Sequence, residues 1–165
     1  MLSFDRRTLI VSLLALPAAG CGFTPVYKAG SAARTLEGNI RFTLIDSREG
    51  FLLLQRLEQR FGRPRTEAPY HATLDLSFSE KELTLIATTG LARHTLSGKL
   101  TVALRRQGVD GVLFSDSLRN TAGYTSSVET LVSEAAKQDA YRRLTLSLAD
   151  RLATRLSASA ESWTR

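Results

Sequence analysis

The C-terminal third of the chain carries an apolar residue at every fourth position, which predicts one long α-helix. The stripe consists of Val128, Val132, Ala136, Ala140, Leu144, Leu148, Leu152 and Leu156. Ser126 followed by Glu129 is a capping-box pattern that predicts where the helix begins. A helix of about 30 residues is roughly 45 Å long, which is longer than a compact sheet needs. We therefore expect one end of it to project or to meet a partner.

A shorter amphipathic helix is predicted upstream. Its apolar residues recur at spacings of three and four, at Phe51, Leu54, Leu57 and Phe61, with polar residues mostly on the opposite side. Ser47 can cap the start of this helix, and Gly62 with Pro64 ends it.

Period-two alternation of apolar and polar residues predicts half-buried strands over 39–46, 72–79, 96–104 and 112–118. The alternation continues over 83–87 in the opposite parity, which indicates a bulge or bend near Ser79 to Glu82. A turn is predicted at Gln107–Gly111. Both helices need an apolar surface to cover. We predict an α+β fold, a two-layer sandwich with two helices packed on one face of a mostly antiparallel four-stranded sheet.

The other face of the predicted sheet is polar enough for water or for another polar surface. Its residues would be Arg41, Thr43, Asp75, Ser77, Lys99, Thr101 and Ala103.

The N-terminus has the anatomy of a secretory signal. Arg6 and Arg7 precede an apolar run from Leu9 to Leu16, and small residues follow up to Gly20. The run is shorter than the roughly 20 residues that cross a bilayer. The next residue, Cys21, is the only cysteine in the chain. One interpretation is an ordinary signal peptide followed by a buried free thiol.

A signal that ends on a lone cysteine resembles the lipobox of bacterial lipoproteins, in which the thiol takes a diacylglycerol. We therefore expect residues 1–20 to be a lipoprotein signal peptide and Cys21 to be lipidated, which anchors the chain to a membrane. Residue 22 is Gly rather than Asp, which favours the periplasmic face of the outer membrane. Residues 21–38 are predicted to form the lipidated N-terminus and a tether, and residues 39–165 a single α+β domain.

The chain carries a net charge of +6. For an exported lipoprotein, anionic lipid, phosphorylated glycolipid or an acidic protein surface suits this charge better than nucleic acid does. A solvated surface with a positive bias is the alternative. Two basic clusters stand out. One, on the central strand, contains Arg93, His94, Lys99, Arg105 and Arg106, and the other, on the long helix, contains Lys137, Arg142, Arg143, Arg151 and Arg155.

We take Arg93, Lys99, Arg105 and Arg106 as candidate ligand-binding residues. On the long helix, Glu134, Asp139 and Asp150 interleave with the cations, which favours ordinary surface ion pairs there. Arg119 and Tyr124 lie in a Gly/Ser/Thr-rich segment before that helix, where they would line an interface or pack a loop.

The sequence offers little for catalysis. His71 and His94 belong to no metal-ligand spacing, and the chain has neither a nucleophile elbow nor a phosphate-binding glycine loop. A Ser–His–Asp triad assembled across the fold stays open as an alternative. We expect a binding protein rather than an enzyme, with no metal and no cofactor other than the covalent lipid at Cys21.

The residues Cys-Gly-Phe-Thr-Pro-Val-Tyr at 21–27 resemble the Cys-Gly-aromatic-x-Pro-x-Tyr opening of the lipopolysaccharide-assembly lipoprotein family LptE, in its alphaproteobacterial form. Residues 131–140 and the Leu-rich helix after them also resemble that family. The resemblance implies a non-catalytic outer-membrane lipoprotein that associates with the LptD β-barrel, assists its assembly and binds lipopolysaccharide. The family's turn arginine would fall at Thr88 or Thr89, and Arg93 is the nearest substitute. An accessory periplasmic lipoprotein of another envelope lipid-transport complex is the alternative.

Overall fold

The fold is described by a computed structural model that covers residues 32–43, 45–86, 91–127 and 130–164. The predicted signal peptide, Cys21, and Thr88 and Thr89 lie outside these residues. In chain order the elements are α1 (Ala32–Thr35), β1 (Ile40–Phe42), α2 (Arg48–Phe61), β2 (Tyr70–Ile86), β3 (Leu91–Arg106), β4 (Phe114–Ser126) and α3 (Thr130–Trp163).

The four strands form one sheet in the order β1-β2-β3-β4, and α2 and α3 cover one of its faces. β1 pairs with β2 in parallel because α2 crosses over between them, whereas β2–β3 and β3–β4 are antiparallel. The predicted α+β fold class is confirmed. The predicted turn after β3 is also confirmed, and Gly108 and Gly111 supply the positive φ angles that it requires.

Helix α2 begins as predicted. The Ser47 Oγ accepts a hydrogen bond of 2.9 Å from the Gly50 amide, and Gly62 follows the last turn at a φ of 74°. The buried stripe consists of Gly50, Leu53, Leu57 and Phe61. The prediction that Phe51 belongs to it is wrong, because its side chain is 64% exposed. The stripe centres on Leu53, so Phe51 falls on the outer side of the helix.

Helix α3 confirms most of the predicted stripe. Ala140, Leu144, Leu148, Leu152 and Leu156 are buried against the sheet and α2. Val132 is 57% exposed, so the N-terminal turns of α3 extend beyond the packed layer. None of the helices in the described ranges is long and apolar enough to span a bilayer.

The predicted ends of β1 and β4 are wrong. β1 is only three residues long, because the chain turns at Ile45–Ser47 to begin α2. The predicted bulge is confirmed within one or two residues: the run over 72–79 continues into 83–86 as one strand, β2, whose register shifts between Glu82 and Thr84, and Ala87 lies outside the described residues. β4 continues to Ser126. Ser126 is therefore a strand residue rather than a helix cap, and its Oγ lies 2.8 Å from the His94 Nε2.

The C-terminal part of the predicted tether packs onto the domain. Residues 32–35 form α1, and the side chain of Leu36 is fully buried in the core. The Gly38 amide donates a hydrogen bond of 2.6 Å to the Phe61 carbonyl at the end of α2. The packed part of the chain thus begins before residue 39, because Leu36 supplies an apolar anchor among small and polar residues.

Candidate ligand-binding surface

The sheet face opposite the helices, called here the outer face, is polar along its whole length. Residues of alternate parity on each strand point to it because side chains alternate across a strand. Its hydroxyl residues are Thr73, Ser77, Ser79, Thr95, Ser97, Thr101, Ser115, Ser117, Thr121 and Thr125. Its cationic residues are Arg41, Lys81, Arg93, Lys99, Arg105 and Arg119. Asp75 is the carboxylate residue of this face in the described part of the chain.

Lys99 lies near the middle of the outer face, directly opposite Arg119 on β4 and opposite Ser77 on β2. Both cations are exposed, and neither has an ion-pair partner among the described residues. A shallow cavity of about 460 Å³ is lined by both cations and by residues that include Ser79, Ser97 and Thr121. Like charges directly opposite each other on a sheet are unfavourable. An anion bound between them would relieve that repulsion.

The four candidate residues of the central strand do not come together in one site. Arg93, Lys99 and Arg105 share the outer face, but each lies six positions along the strand from the next. At roughly 3.3 Å per residue, each gap is about 20 Å. Arg106 has the opposite parity and lies at the end of β3, opposite Tyr70. Of the four candidate residues, Lys99 is therefore the one that has a second cation, Arg119, directly beside it on the neighbouring strand.

That second cation, Arg119, was missed as a sheet residue by the sequence prediction. The Gly/Ser/Thr-rich composition of 119–126 indicated a loop, yet the segment is the second half of β4. The signal that could have found it is the alternation of Leu118, Ala122 and Tyr124, which point to the helices, with small and polar residues that point outward.

The basic residues of α3 mostly have partners. Arg143 pairs with Asp139 at 2.8 Å, and Arg155 lies 3.8 Å from the Asp116 carboxylate. Arg151 donates a hydrogen bond of 3.0 Å to the Arg119 carbonyl of β4. The basic residues of α3 thus form ordinary surface ion pairs and hydrogen bonds, as the interleaved acidic residues of the helix indicated.

A further carboxylate of α3, Asp150, joins the two helices. It accepts hydrogen bonds from Arg56 and Arg60 of α2, with N–O distances of 3.0 to 3.2 Å. The hydrogen bonds from Arg56, and then those from Arg60, hold the pKa of the Asp150 carboxyl below its usual value despite partial burial. Asp150 is therefore charged at neutral pH and links the helices side by side.

A polar cluster lies on the inner face, beneath the N-terminal half of α3. Glu80 of β2 accepts a short hydrogen bond from the Tyr124 hydroxyl, and its carboxylate lies 3.0 Å from the Lys137 Nζ and 3.4 Å from the His94 Nδ1. The hydrogen bond from Tyr124 is the main cause that lowers the pKa of Glu80. Burial and the bond to Glu80 raise the pKa of Tyr124. The cluster therefore connects β2, β3 and β4 to the helix.

Comparison with known proteins supports the fold. No protein-family model matches the chain, and no curated protein does. A protein of Caulobacter crescentus classed as a lipoprotein aligns with a TM-score of 0.62 at 16% identity, over 78% of this chain and 96% of that one. A minor lipoprotein of Acinetobacter baumannii aligns with a TM-score of 0.54 at 12% identity, over 73% and 91% of the two chains. Rare lipoprotein B of Shewanella oneidensis gives a TM-score of 0.53 at 11% identity, over 77% and 98%. The chain shares the fold of these bacterial lipoproteins.

Proposed function

We propose that this protein is an outer-membrane lipoprotein, anchored by lipid at Cys21, that associates with an LptD-like β-barrel and assists its assembly. In this role it binds lipopolysaccharide on its way to the cell surface. The observation that carries the proposal is the outer face, which is polar, rich in hydroxyl groups and predominantly cationic. The fold shared with three bacterial lipoproteins supports it, and so does the resemblance of residues 21–27 to the LptE opening.

The polar outer face suits the inside of a barrel, because the interior of outer-membrane barrels is polar. Hydroxyl side chains can donate and accept hydrogen bonds with such a wall. The opposite face of the sheet is occupied by α2 and α3, so of the two faces it is the outer one that a partner can contact.

The proposed contact with lipopolysaccharide is the pair Lys99 and Arg119. Phosphate groups on lipid A can serve as the anionic partner that these two side chains do not have among the described residues. An arginine guanidinium can bind a phosphate through two parallel hydrogen bonds. The hydroxyls of Ser77, Ser97 and Thr121 around the cavity can complete the binding of the phosphate oxygens. In this proposal Arg93 and Arg105 contribute long-range attraction rather than direct contact with the same phosphate.

Charge reversal tests the ligand. The double variant Lys99→Glu/Arg119→Glu should bind lipopolysaccharide at least about tenfold more weakly, measured by displacement of a fluorescent lipopolysaccharide. A control with the same change in net charge is Arg63→Glu/Arg142→Glu, at exposed positions in the loop after α2 and on α3, and it should bind nearly as well as the wild type. Treating the lipopolysaccharide with a phosphatase should remove the difference. Equal losses in both double variants would contradict this site.

Co-purification tests the partner. The tagged protein, isolated from detergent-solubilised outer membranes, should carry a large β-barrel with it. Recovery without a barrel would contradict the LptD part of the proposal, and recovery with inner-membrane transporter subunits would favour the other envelope lipid-transport complex.

A further inference from the structure

The two edges of the sheet differ in how their backbone groups are satisfied. The free edge of β4 is partly covered by α3, because Arg151 donates to the Arg119 carbonyl at 3.0 Å and Arg143 to the Gly123 carbonyl at 3.4 Å. β2 is an edge strand over most of its length, since β1 pairs only with Tyr70–Ala72. Beyond that point the side of β2 away from β3 has no neighbouring strand in the described part of the chain.

The hydrogen bonds to β1 show which β2 residues face this edge. The Tyr70 amide donates to the Asn39 carbonyl at 3.1 Å, and the Ala72 carbonyl accepts from the Thr43 amide at 2.9 Å. The N–H and C=O groups of one strand residue point to the same side, and the next residue points to the other. The even-numbered residues that follow, Leu74, Leu76, Phe78 and Glu80, therefore present their N–H and C=O groups to the open edge. Within the described ranges these groups have no backbone or side-chain partner.

The side chains along this edge are also incompletely covered. Leu76 and Phe78 point toward the helix layer, yet both are only half-buried, whereas Leu100, directly opposite Leu76 on β3, is fully buried. The helix layer buries Ala72 and Leu74 of β2, and Tyr141 of α3 packs edge-on against Phe78 with ring centroids 5.0 Å apart. From Leu76 onward, however, this cover is incomplete, and part of the apolar side of the open edge stays exposed. Unpaired strand edges of this kind template the addition of another strand.

We propose that the open edge of β2 binds a short extended segment of a partner protein, which adds to the sheet as a further strand. The segment has apolar residues that pack beside Leu76 and Phe78. Its alternate residues, which point to the outer face, are hydroxyl-bearing or acidic. The acidic component follows from charge and belongs beside Lys81, because Lys81 lies on that side of β2 at one end of the edge, whereas Asp75 lies near the other end and suits a hydroxyl-bearing neighbour.

The length of the edge favours a short segment over a second copy of this chain. β1 occupies one end at Tyr70–Ala72, and the register shift between Glu82 and Thr84 interrupts the other. About nine positions lie between, or about 30 Å. β2 itself is 17 residues long. An antiparallel β2 from a second copy, centred on Ser77, would place its residues beyond Glu82 where β1 lies.

Hydrogen exchange tests the proposal with a defined peptide, in which valine alternates with threonine and aspartate over seven residues. In the free protein the amides of Leu76 and Phe78 should exchange fast, and those of Ser77 and Ser79, which face β3, should exchange slowly. The peptide should slow Leu76 and Phe78 by at least about tenfold. Two control peptides carry N-methyl groups, one on the valines and the other on the alternate residues. An N-methylated amide cannot donate a hydrogen bond to β2, and only every second amide of an added strand faces β2. One control peptide should therefore fail to slow the exchange of Leu76 and Phe78, and the other should still slow it.

Two variants at Leu76 distinguish the contribution of its backbone N–H to peptide binding from the contribution of its side chain. Leu76→Pro removes the N–H that faces the edge, a change that edge strands tolerate, whereas Leu76→Ala keeps it. Protection of Phe78 by the peptide should persist in Leu76→Ala and disappear in Leu76→Pro. If Leu76→Pro does not fold, the amide exchange of the wild-type protein with the peptide and its two N-methylated controls tests the proposal by itself.

Three results would overturn the proposal. The first is equal protection of Leu76, Ser77, Phe78 and Ser79 in the free protein. The second is no effect of the peptide, or the same effect from both N-methylated peptides. The third is protection without peptide that rises with protein concentration together with a doubled mass, which would identify a second copy as the occupant.

Discussion

Gly98 of β3 lies directly against α3, and replacing it with alanine tests how that interface is packed. A Cβ added at residue 98 would lie 3.0 Å from the Leu148 Cδ1 and 3.1 Å from the Leu144 Cδ2. Both distances are shorter than ordinary van der Waals contact. The two leucines are themselves buried, so they cannot swing into solvent to make room. Gly98→Ala therefore forces α3 or its leucines away from the sheet.

The expected cost combines two opposing effects. Overpacking of a filled core costs about 1–3 kcal/mol. Replacing glycine with alanine also restricts the unfolded chain, which stabilises the folded state by about 0.4–1 kcal/mol. The two ranges together span a net loss of about 0–2.6 kcal/mol. Because both leucines are fully buried, we take the overpacking cost from the upper part of its range and expect a net loss of about 1–2 kcal/mol. Gly123→Ala is the matched control on β4, because its Cβ would lie 3.7 Å from the nearest atom, the His94 carbonyl oxygen. Gly123→Ala should be neutral or slightly stabilising.

Urea unfolding followed by circular dichroism measures both variants. Gly98→Ala should lower the midpoint without a change in the slope m, since the surface exposed on unfolding stays the same. In a Leu144→Ala background the added methyl group has space, so the cost of Gly98→Ala should shrink. A Gly98→Ala protein within about 0.5 kcal/mol of the wild type, or equal to Gly123→Ala, would refute the close packing of α3 on β3.

Two carboxylates give further predictions. Asp150→Asn should cost about 0.5–1 kcal/mol at pH 7 in urea unfolding. The lowered pKa means that Asp150 stabilises the fold above about pH 4 and loses this effect as the pH falls through its folded pKa, so the variant and the wild type should converge once the pH is below that folded pKa. A constant difference across that range would contradict the charge-based reasoning. Tyr124→Phe should raise the pKa of Glu80 in a ¹³C NMR titration and cost about 1–2 kcal/mol. An unchanged Glu80 titration would contradict the role of the tyrosine hydroxyl.

The sequence predicted the layers of the fold because long periodic segments leave few alternatives. The four-residue repeat of α3 and the alternation along β2 and β3 each persist for many residues, and buried side chains match the repeat of α3 from Ala140 onward and the alternation of β3 over 96–104. The cap at Ser47 was also predictable, since a serine before an apolar repeat satisfies amides that the helix leaves free.

Features decided by tertiary contacts were not predictable from local patterns. Phe51 fits the apolar spacing of α2 as well as Leu53 does, and only the position of α3 and the sheet selects between them. The second half of β4 contains residues with weak strand preference, yet it forms a strand because β3 provides a full-length partner. The pairing of Lys99 with Arg119 depends on that register, so the candidate site could not be assembled before the sheet was known.

The projecting end of α3 was expected from its length, and the structure shows what holds it. Lys137 binds Glu80 at 3.0 Å, and the Arg48 guanidinium donates to the Gln138 side chain at 3.1 Å. Lys137→Met keeps an unbranched aliphatic chain but removes the ion pair. We expect the amides of residues 132–139 to exchange roughly fivefold faster, as an ion pair of about 1 kcal/mol implies, and those of 144–156 to be unchanged. Arg143→Met, which removes a pair internal to the helix, should have a smaller effect. If residues 144–156 lost protection equally, α3 would open as one unit, and the polar cluster would stabilise the whole domain rather than its projecting end.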